Sequence, residues 1–256
     1  MAAWTSKIIF LPSVTSTNDY LKEKARCGAE EGTVVWAAEQ TVGRGRQNRH
    51  WESRPGLGLY CSILLRPQEP FSRLPFYTLF PALAVVEAME ACCNLAVQIK
   101  WPNDLVIKKS KMGGILTEAS LQGNNLHYVI IGLGLNVYHQ ESDFSPSLAP
   151  HSTSLAREGG RIADLDSLLQ EILQVWPHYY QQHHLLPSLV DLIEKWENHC
   201  NHMNRRVEVK EGNTIRCGLF AGLNSDGFGR LLIDGTEVTL AQGELSLREV
   251  KDVAGC

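Results

Sequence analysis

After Asn204 the chain changes style. Short β-like runs over 207–210, 214–223, 229–233, 237–240 and 245–250 follow one another with no helical stretch between them. They are separated by turn clusters such as Asn224-Ser225-Asp226-Gly227 and Asp234-Gly235. Successive short strands joined by tight turns bury their apolar faces by curling into a small barrel or sandwich. Residues 205–256 are therefore expected to form a small all-β barrel, and residues 1–204 a separate, larger domain.

The larger domain mixes both element types, which predicts an α+β fold. Strands are expected over Lys7–Leu11, Thr33–Ala38, Leu57–Leu65, Ile115–Ala119 and Tyr128–Leu135, with a short pair over Val97–Ile99 and Leu105–Ile107. The run at 128–135 is apolar throughout, as in a strand covered on both faces. Helices are expected over about 18–27, 75–94, 164–182 and 187–201. The hydroxyl and amide residues between Ser13 and Asn18 suit a helix start, because their side chains accept from free backbone N–H groups. In the second helix Phe76, Leu79, Phe80, Leu83, Val86 and Met89 recur at helical spacing, so one face should enter the core. The polar, Pro/Ser-rich stretch 140–153 reads as a surface loop.

The net charge of −4 argues against a protein that works by wrapping nucleic acid. Any cationic cluster is local, which suits a small anionic ligand better. The seven cysteines are odd in number and form no CxxC pair, as in a reduced, cytosolic chain. MAAWTSKIIFLPS does not read as a secretory signal. No apolar stretch is expected to reach the ~18–20 residues of a membrane helix. A soluble, cytoplasmic protein is the expectation.

Two clusters carry chemistry. The loop 40–54 holds Arg44, Arg46, Arg49 and Arg54, with Gly43, Gly45 and Gly56 between or beside them. Arginine presents a planar fork of donors to carboxylate and phosphate oxygens, and glycine lets backbone approach a ligand. Trp51 could cover an apolar or aromatic part. An isolated Arg-Gly-Arg is more often a solvated loop, and a lone Trp more often core.

In the second cluster, Lys100-Trp101-Pro102-Asn103-Asp104 places a lysine, an amide and a carboxylate around a rigid corner. Asp104 either holds a metal ion, positions an incoming amine, or caps a turn. Lys111 precedes Gly113-Gly114, where thin backbone would let its ammonium reach a buried anion; the alternative is an exposed hairpin lysine beside Lys108 and Lys109. Gly132-Leu-Gly134-Leu-Asn136 offers another close approach and an amide. It is no dinucleotide fingerprint, since Val137 stands at the third glycine position, and GxxxxGK[ST] is absent from the chain.

Taken in order, STN (16–18), Gln40, GRGRQNRHW (43–51), KWPNDL (100–105), KMGGIL (111–116) and GLGLN (132–136) resemble the biotin–protein ligases. KWENHCNHMNRRVEV (195–209) is similar to that family's passage into its C-terminal barrel. The resemblance implies a mixed-sheet catalytic domain of the class II synthetase-like biotin/lipoate ligase type, followed by an SH3-like β-barrel. It implies ATP and biotin as substrates, Mg²⁺ as the metal, and the biotin carboxyl carrier domain of a carboxylase as partner. Biotin contacts then fall on Ser16, Thr17, Asn18, Gln40, Gly43, Arg44, Gly45, Arg46 and Lys111. ATP and adenylate contacts fall on Arg44, Arg46, Arg49, Trp51 and Asn136. Lys111, Arg46 and Asp104 are the implied catalytic residues, with Asp104 also the candidate for the metal.

Some members of that family carry an N-terminal helix-turn-helix domain; with the first strand near Lys7, none is expected here, nor is operator binding. Gln47, Asn48 and His50 occupy variable positions and carry no argument. His199, Cys200 and His202 are expected at a helix end as surface side chains, without metal. The alternatives are a lipoate– or octanoate–protein ligase on the same fold, and a non-catalytic module whose arginines grip a nucleotide or a partner.

Overall fold

The computed structural model describes residues 7–185, 189–211, 214–240 and 246–249. Seven strands form the first sheet: β1 (Lys7–Leu11), β2 (Thr33–Ala37), β3 (Gly58–Leu65), β4 (Gln98–Lys100), β5 (Asp104–Ile107), β6 (Ser110–Gln122) and β7 (Asn125–Asn136). Their order is β1-β2-β3-β7-β6-β5-β4. Only β1 and β2 run parallel, so the sheet is mixed.

Helix α1 (Thr17–Arg26) lies on one face of this sheet, and α2 (Phe76–Cys93), α3 (Leu165–Leu185) and α4 (Val190–His199) build the other. Ser16 caps α1 by accepting from the N–H of Asp19. Helix α2 departs from expectation. It buries residues all round rather than along one stripe, because α3, α4 and strands β6 and β7 surround it. The stretch Phe71–Cys93 is also, against expectation, long and apolar enough to span a membrane by length and composition; here it is the core helix, mostly buried inside the protein. Trp176 and Trp196 are fully buried in the same core. Each such large apolar side chain contributes roughly 1.5–3 kcal/mol on leaving water.

The second sheet has five antiparallel strands: β8 (Arg206–Glu211), β9 (Thr214–Leu223), β10 (Gly229–Ile233), β11 (Thr236–Leu240) and β12 (Ser246–Glu249), in the order β11-β10-β9-β8-β12. This small antiparallel unit matches the expected SH3-like addition. The predicted last run, 245–250, begins and ends outside the described residues, at 245 and 250, as do positions 187–188 of the helix predicted over 187–201. The two sheets meet at Trp101, whose indole packs against Phe220 of β9, 6.1 Å between centroids. A side chain at Gly229 would press on that indole, 3.0 Å from Cε2.

The expected surface trio at 199–202 is corrected. His202 is buried edge-on against Phe220, 4.6 Å between centroids, and Cys200 is buried too. Packing of the second sheet against this segment encloses them. Burial, then the charges of Lys100 and Arg205, pulls the His202 pKa down to about 3, so it is a neutral core residue.

Candidate active site

Helix α1 covers only part of its face of the sheet. It packs on Val35, Leu64, Tyr128 and Ile130 through Leu21 and Ala25. Farther along β7 the same face carries Gly132, Gly134 and Asn136, paired with Ser62, Tyr60 and Gly58 of β3 on one side. On the other side Gly134 and Gly132 pair with Gly114 and Leu116 of β6. Large side chains here would have filled the space; glycines leave a trough, and the loop 40–54 roofs it. The cavity measures about 330 Å³. Ser16, Thr17, Asn18, Gln40, Arg44, Gly45, Arg46, Arg49, Trp51, Asp104, Lys111 and Asn136 all line it. Gly43, the remaining expected residue, is buried behind it: a side chain there would meet the Trp51 carbonyl at 2.4 Å.

One end is a neutral polar cluster. The Thr17 N–H donates to Gln40 Oε1 at 2.9 Å and the Thr17 hydroxyl to the same oxygen at 3.1 Å, while Gln40 Nε2 donates to Ser53 Oγ at 2.9 Å. Ser62, fully buried, reaches Thr17 Oγ1 at 2.8 Å and Asn18 Oδ1 at 2.6 Å. Its single proton serves one of them at a time. Sequence reasoning missed Ser62; the available signal was a single serine inside the apolar strand GLYCSILL. Cys61, beside it, also borders the cavity. Burial raises its thiol pKa to about 12, so it is no nucleophile.

The other end is charged. Lys111 Nζ stands 2.6 Å from Asp104 Oδ1 and 5.3 Å from the Trp51 ring centre. Lys111 belongs to β6 rather than to a hairpin turn, and a bulge decides its direction. Leu105 pairs with Gly113 but Val106 pairs with Lys111, so Met112 is the extra residue. The bulge resets the alternation: Met112 enters the core and Lys111 joins Gly114 on the trough face. The chain over 140–153, expected as a plain surface loop, folds back there. Ser152 bridges Lys111, and Phe144 and Leu148 border the cavity.

The flap is a closed hairpin. Trp51 N–H donates to Gly43 O at 2.9 Å, and Gly45 N–H donates to Arg49 O at 2.8 Å. Arg46 Nη1 donates to Asn103 Oδ1 at 3.1 Å. Asn103, the amide of the rigid corner, is fixed to β6 through Nδ2 on Ile115 O at 2.7 Å. Burial lowers the Arg46 pKa against the opposing pull of Asp104, with Arg49 lowering it further. Arg54 is exposed and takes no part in the lining.

One expectation is corrected, and one residue makes contacts that were not foreseen. Gly132 and Gly134 were expected to let a ligand approach, yet this protein's own side chains use the room. A side chain at 134 would lie 2.6 Å from Trp51 Cε2, and one at 132 would lie 2.3 Å from Asn18 Oδ1. Arg44, expected on the ligand, lines the cavity, and its Nη2 also reaches Asp19 Oδ1 at 2.7 Å and Glu118 Oε2 at 2.8 Å. Helix α1, the flap and the neighbouring strands β6 and β7 meet here only once the chain has folded, so no local pattern announces these contacts.

Among the described residues, no group of three or more His, Cys, Asp or Glu side chains is arranged to hold a metal ion. Asp104 supplies one carboxylate at the charged end, already balanced by Lys111. Such a donor set fits Mg²⁺ that arrives on phosphate oxygens and takes little from the protein.

An elongated cavity, neutral and polar at one end, cationic at the other and roofed by a Gly/Arg flap, defines an enzyme that handles an anionic small molecule. The comparisons give the family. Residues 10–136 match the model of the biotin/lipoate A/B protein ligase family. The bifunctional ligase/repressor BirA of Bacillus subtilis is 34% identical over 220 residues, covering 86% of this chain and 67% of that protein. BirA of Escherichia coli is 29% identical over 248 residues, 95% of this chain and 75% of that one. Among solved structures, the biotin protein ligase of Aquifex aeolicus in complex with biotin and ATP superposes with a TM-score of 0.81 at 30% identity, covering 96% of this chain and 100% of that chain. This chain belongs to the biotin/lipoate A/B protein ligase family.

Proposed function

We propose that this protein is an ATP-dependent biotin–protein ligase. It joins biotin to ATP as biotinyl-5′-adenylate and passes the biotinyl group to a lysine of a carboxylase's carrier domain. The observation that carries this reading is the single cavity with the Thr17–Gln40–Ser62 cluster at one end and Lys111 with Arg46 at the other. A neutral bicyclic head with a carboxylate tail fits that polarity. The relatives' names and the bound biotin and ATP of the Aquifex structure favour biotin over lipoate or octanoate.

In the first step a biotin carboxylate oxygen attacks the α-phosphorus, and the bond to pyrophosphate breaks. Two anions must meet, so the ammonium of Lys111 and the guanidinium of Arg46 offset their repulsion and stabilise charge as it builds. Lys111 then has to exchange Asp104 for the substrate oxygens. Released from that pair, Asp104 is placed to hold the incoming acceptor amine or to meet Mg²⁺. The metal, when bound, neutralises the triphosphate further. In the second step the acceptor amine attacks the biotinyl carbonyl and AMP leaves.

Ser16, Thr17, Asn18, Gln40 and the flap backbone at 43–45 hold the biotin head. Trp51, stacked over Gly134, shields the mixed anhydride from water, with Arg49 and Asn136 on the adenylate side. Residues 1–204 serve as the catalytic domain and 205–256 as its supporting barrel. The six described cysteines are free, which suits the reducing cytoplasm.

The test is a labelling reaction with MgATP, a carrier domain and biotin, octanoate or lipoate, read by intact mass. The carrier should gain one biotinyl group, and its acceptor-lysine mutant none. Transfer of octanoyl or lipoyl alone would reassign the substrate, and no transfer at all would return the protein to the binding-module alternative.

A further inference from the structure

The contacts of Arg44 have a meaning for the flap. Glu118 sits on β6 behind the cavity, and its two oxygens collect partners from three places. Oε1 accepts from Lys22 at 2.5 Å; Oε2 accepts from Asn18 at 2.8 Å and from Arg44 at 2.8 Å. Asp19 of α1 holds Arg44 from the other side at 2.7 Å. Glu118 and Arg44 are mostly buried, with side chains 22% and 29% exposed. Burial would raise the Glu118 pKa, yet the hydrogen bonds of Lys22 and Asn18 and the charges of Lys22 and Arg44 outweigh it and hold it ionised, below the ordinary range.

Arg44 lies between Gly43 and Gly45, the flap residues nearest the polar end. At the Gly/Arg tip, side chains tie the flap to the fold on both sides, Arg44 to Glu118 and Asp19 and Arg46 to Asn103, while backbone bonds from Thr41 and Val42 to Val14 and Thr15 anchor its base. Loops held by a few polar contacts are the parts of a protein that open most easily. The geometry points to Glu118 as a positioning residue: with Asp19 it latches Arg44 and so keeps the flap closed over the adenylate until the carrier arrives. This rests on the ligase reading above. Arg44 acts here through its side chain on protein, not on substrate, and the same carboxylate orients Asn18 in the polar cluster.

The experiment compares wild type, Glu118→Gln, Arg44→Ala and the double variant, each with biotin and MgATP but no carrier. Pyrophosphate release in a single turnover reads adenylate formation. Adenylate leaving the enzyme is read by rapid filtration and by biotinylation of serum albumin as a bystander. Losing one buried charge-assisted contact should speed the leak about ten-fold, while formation falls far less. Because both single variants open the same latch, the double variant should leak no faster than either. A folded Glu118→Gln that retains adenylate like wild type overturns the latch, and so do additive effects. A purely structural Glu118 would lower formation and retention by the same factor, which also overturns it. Should Glu118→Gln fail to fold, Asp19→Asn reads the other arm: a leak faster than wild type supports the latch, and normal retention in both Asp19→Asn and Arg44→Ala removes it. If wild type itself releases no pyrophosphate, the ligase reading fails and the latch falls with it.

Discussion

Lys111 Nζ lies 2.6 Å from Asp104 Oδ1 and faces the ring of Trp51, so one ammonium joins β5, β6 and the flap. Removing it should separate chemistry from folding. Lys111→Ala is expected to lower adenylate formation by about 10²–10³-fold, the range seen when one preorganised charge-stabilising donor is lost. Biotin-dependent pyrophosphate exchange measures it, with circular dichroism to verify the fold. Near-normal exchange would take Lys111 out of the mechanism.

Gly114 and Gly134 face each other across β6 and β7, yet they should respond differently to a methyl group. At 114 the added carbon meets Lys111 and Trp51 atoms no closer than 3.5 Å, ordinary contact; at 134 it lies 2.6 Å from Trp51. Gly134→Ala should displace the indole and raise KM for ATP roughly ten-fold, a little over 1 kcal/mol of binding, while Gly114→Ala stays within about two-fold. Steady-state kinetics on both variants decides it, and equal effects would show that Trp51 is not seated by Gly134.

Ser62 is the hidden support of the polar cluster. Ser62→Ala leaves a buried partner short of a hydrogen bond, at a cost of about 1–3 kcal/mol. Isothermal titration should find biotin binding several-fold weaker and urea denaturation a lower midpoint. Unchanged affinity would mean the Thr17–Asn18 face holds its shape unaided.

The depressed pKa of Glu118 fixes a sign for pH dependence. A carboxylate held below its unfolded value of ~4.3 stabilises the fold fully above that value, and the contribution is lost as pH falls through the folded pKa. The stability gap between wild type and Glu118→Gln should therefore be largest near neutrality and close below about pH 4. Urea midpoints at pH 7, 5, 4 and 3 test this; a gap that widens on acidification would contradict it.

His202 loses its contribution in the same direction but at higher pH. Its pKa of about 3 in the folded state means that the unfolded chain, near ~6.5, takes up the proton first as pH falls. Stability should drop from about pH 6.5 downward, on the order of 2 kcal/mol by pH 5. His202→Leu removes this titration, so its stability relative to wild type should rise between pH 7 and 5. A parallel pair of denaturation curves would place the acid sensitivity elsewhere.

The sequence by itself determined the elements, the change of architecture after Asn204 and most of the cavity lining. Strand β1 at Lys7–Leu11 and the hairpin around Trp101-Pro102-Asn103 follow from local apolar runs broken by proline and polar residues. Arg46 and Lys111 were legible from residue type and their glycine neighbours, while Ser16 and Gln40 entered only through the resemblance to the ligase family. Tertiary structure alone decided which atoms meet. Lys111 points into the site because one bulge at Met112 shifts the alternation of β6. Gly132 and Gly134 make room for Asn18 and Trp51, far away in sequence, and Arg44 finds an ion pair because Glu118, 74 positions later on β6, comes to face the flap. Periodicity reports which side of an element is apolar; it holds no record of which distant side chain will fill the space or balance the charge. That depends on strand order and register, set when the whole sheet assembles.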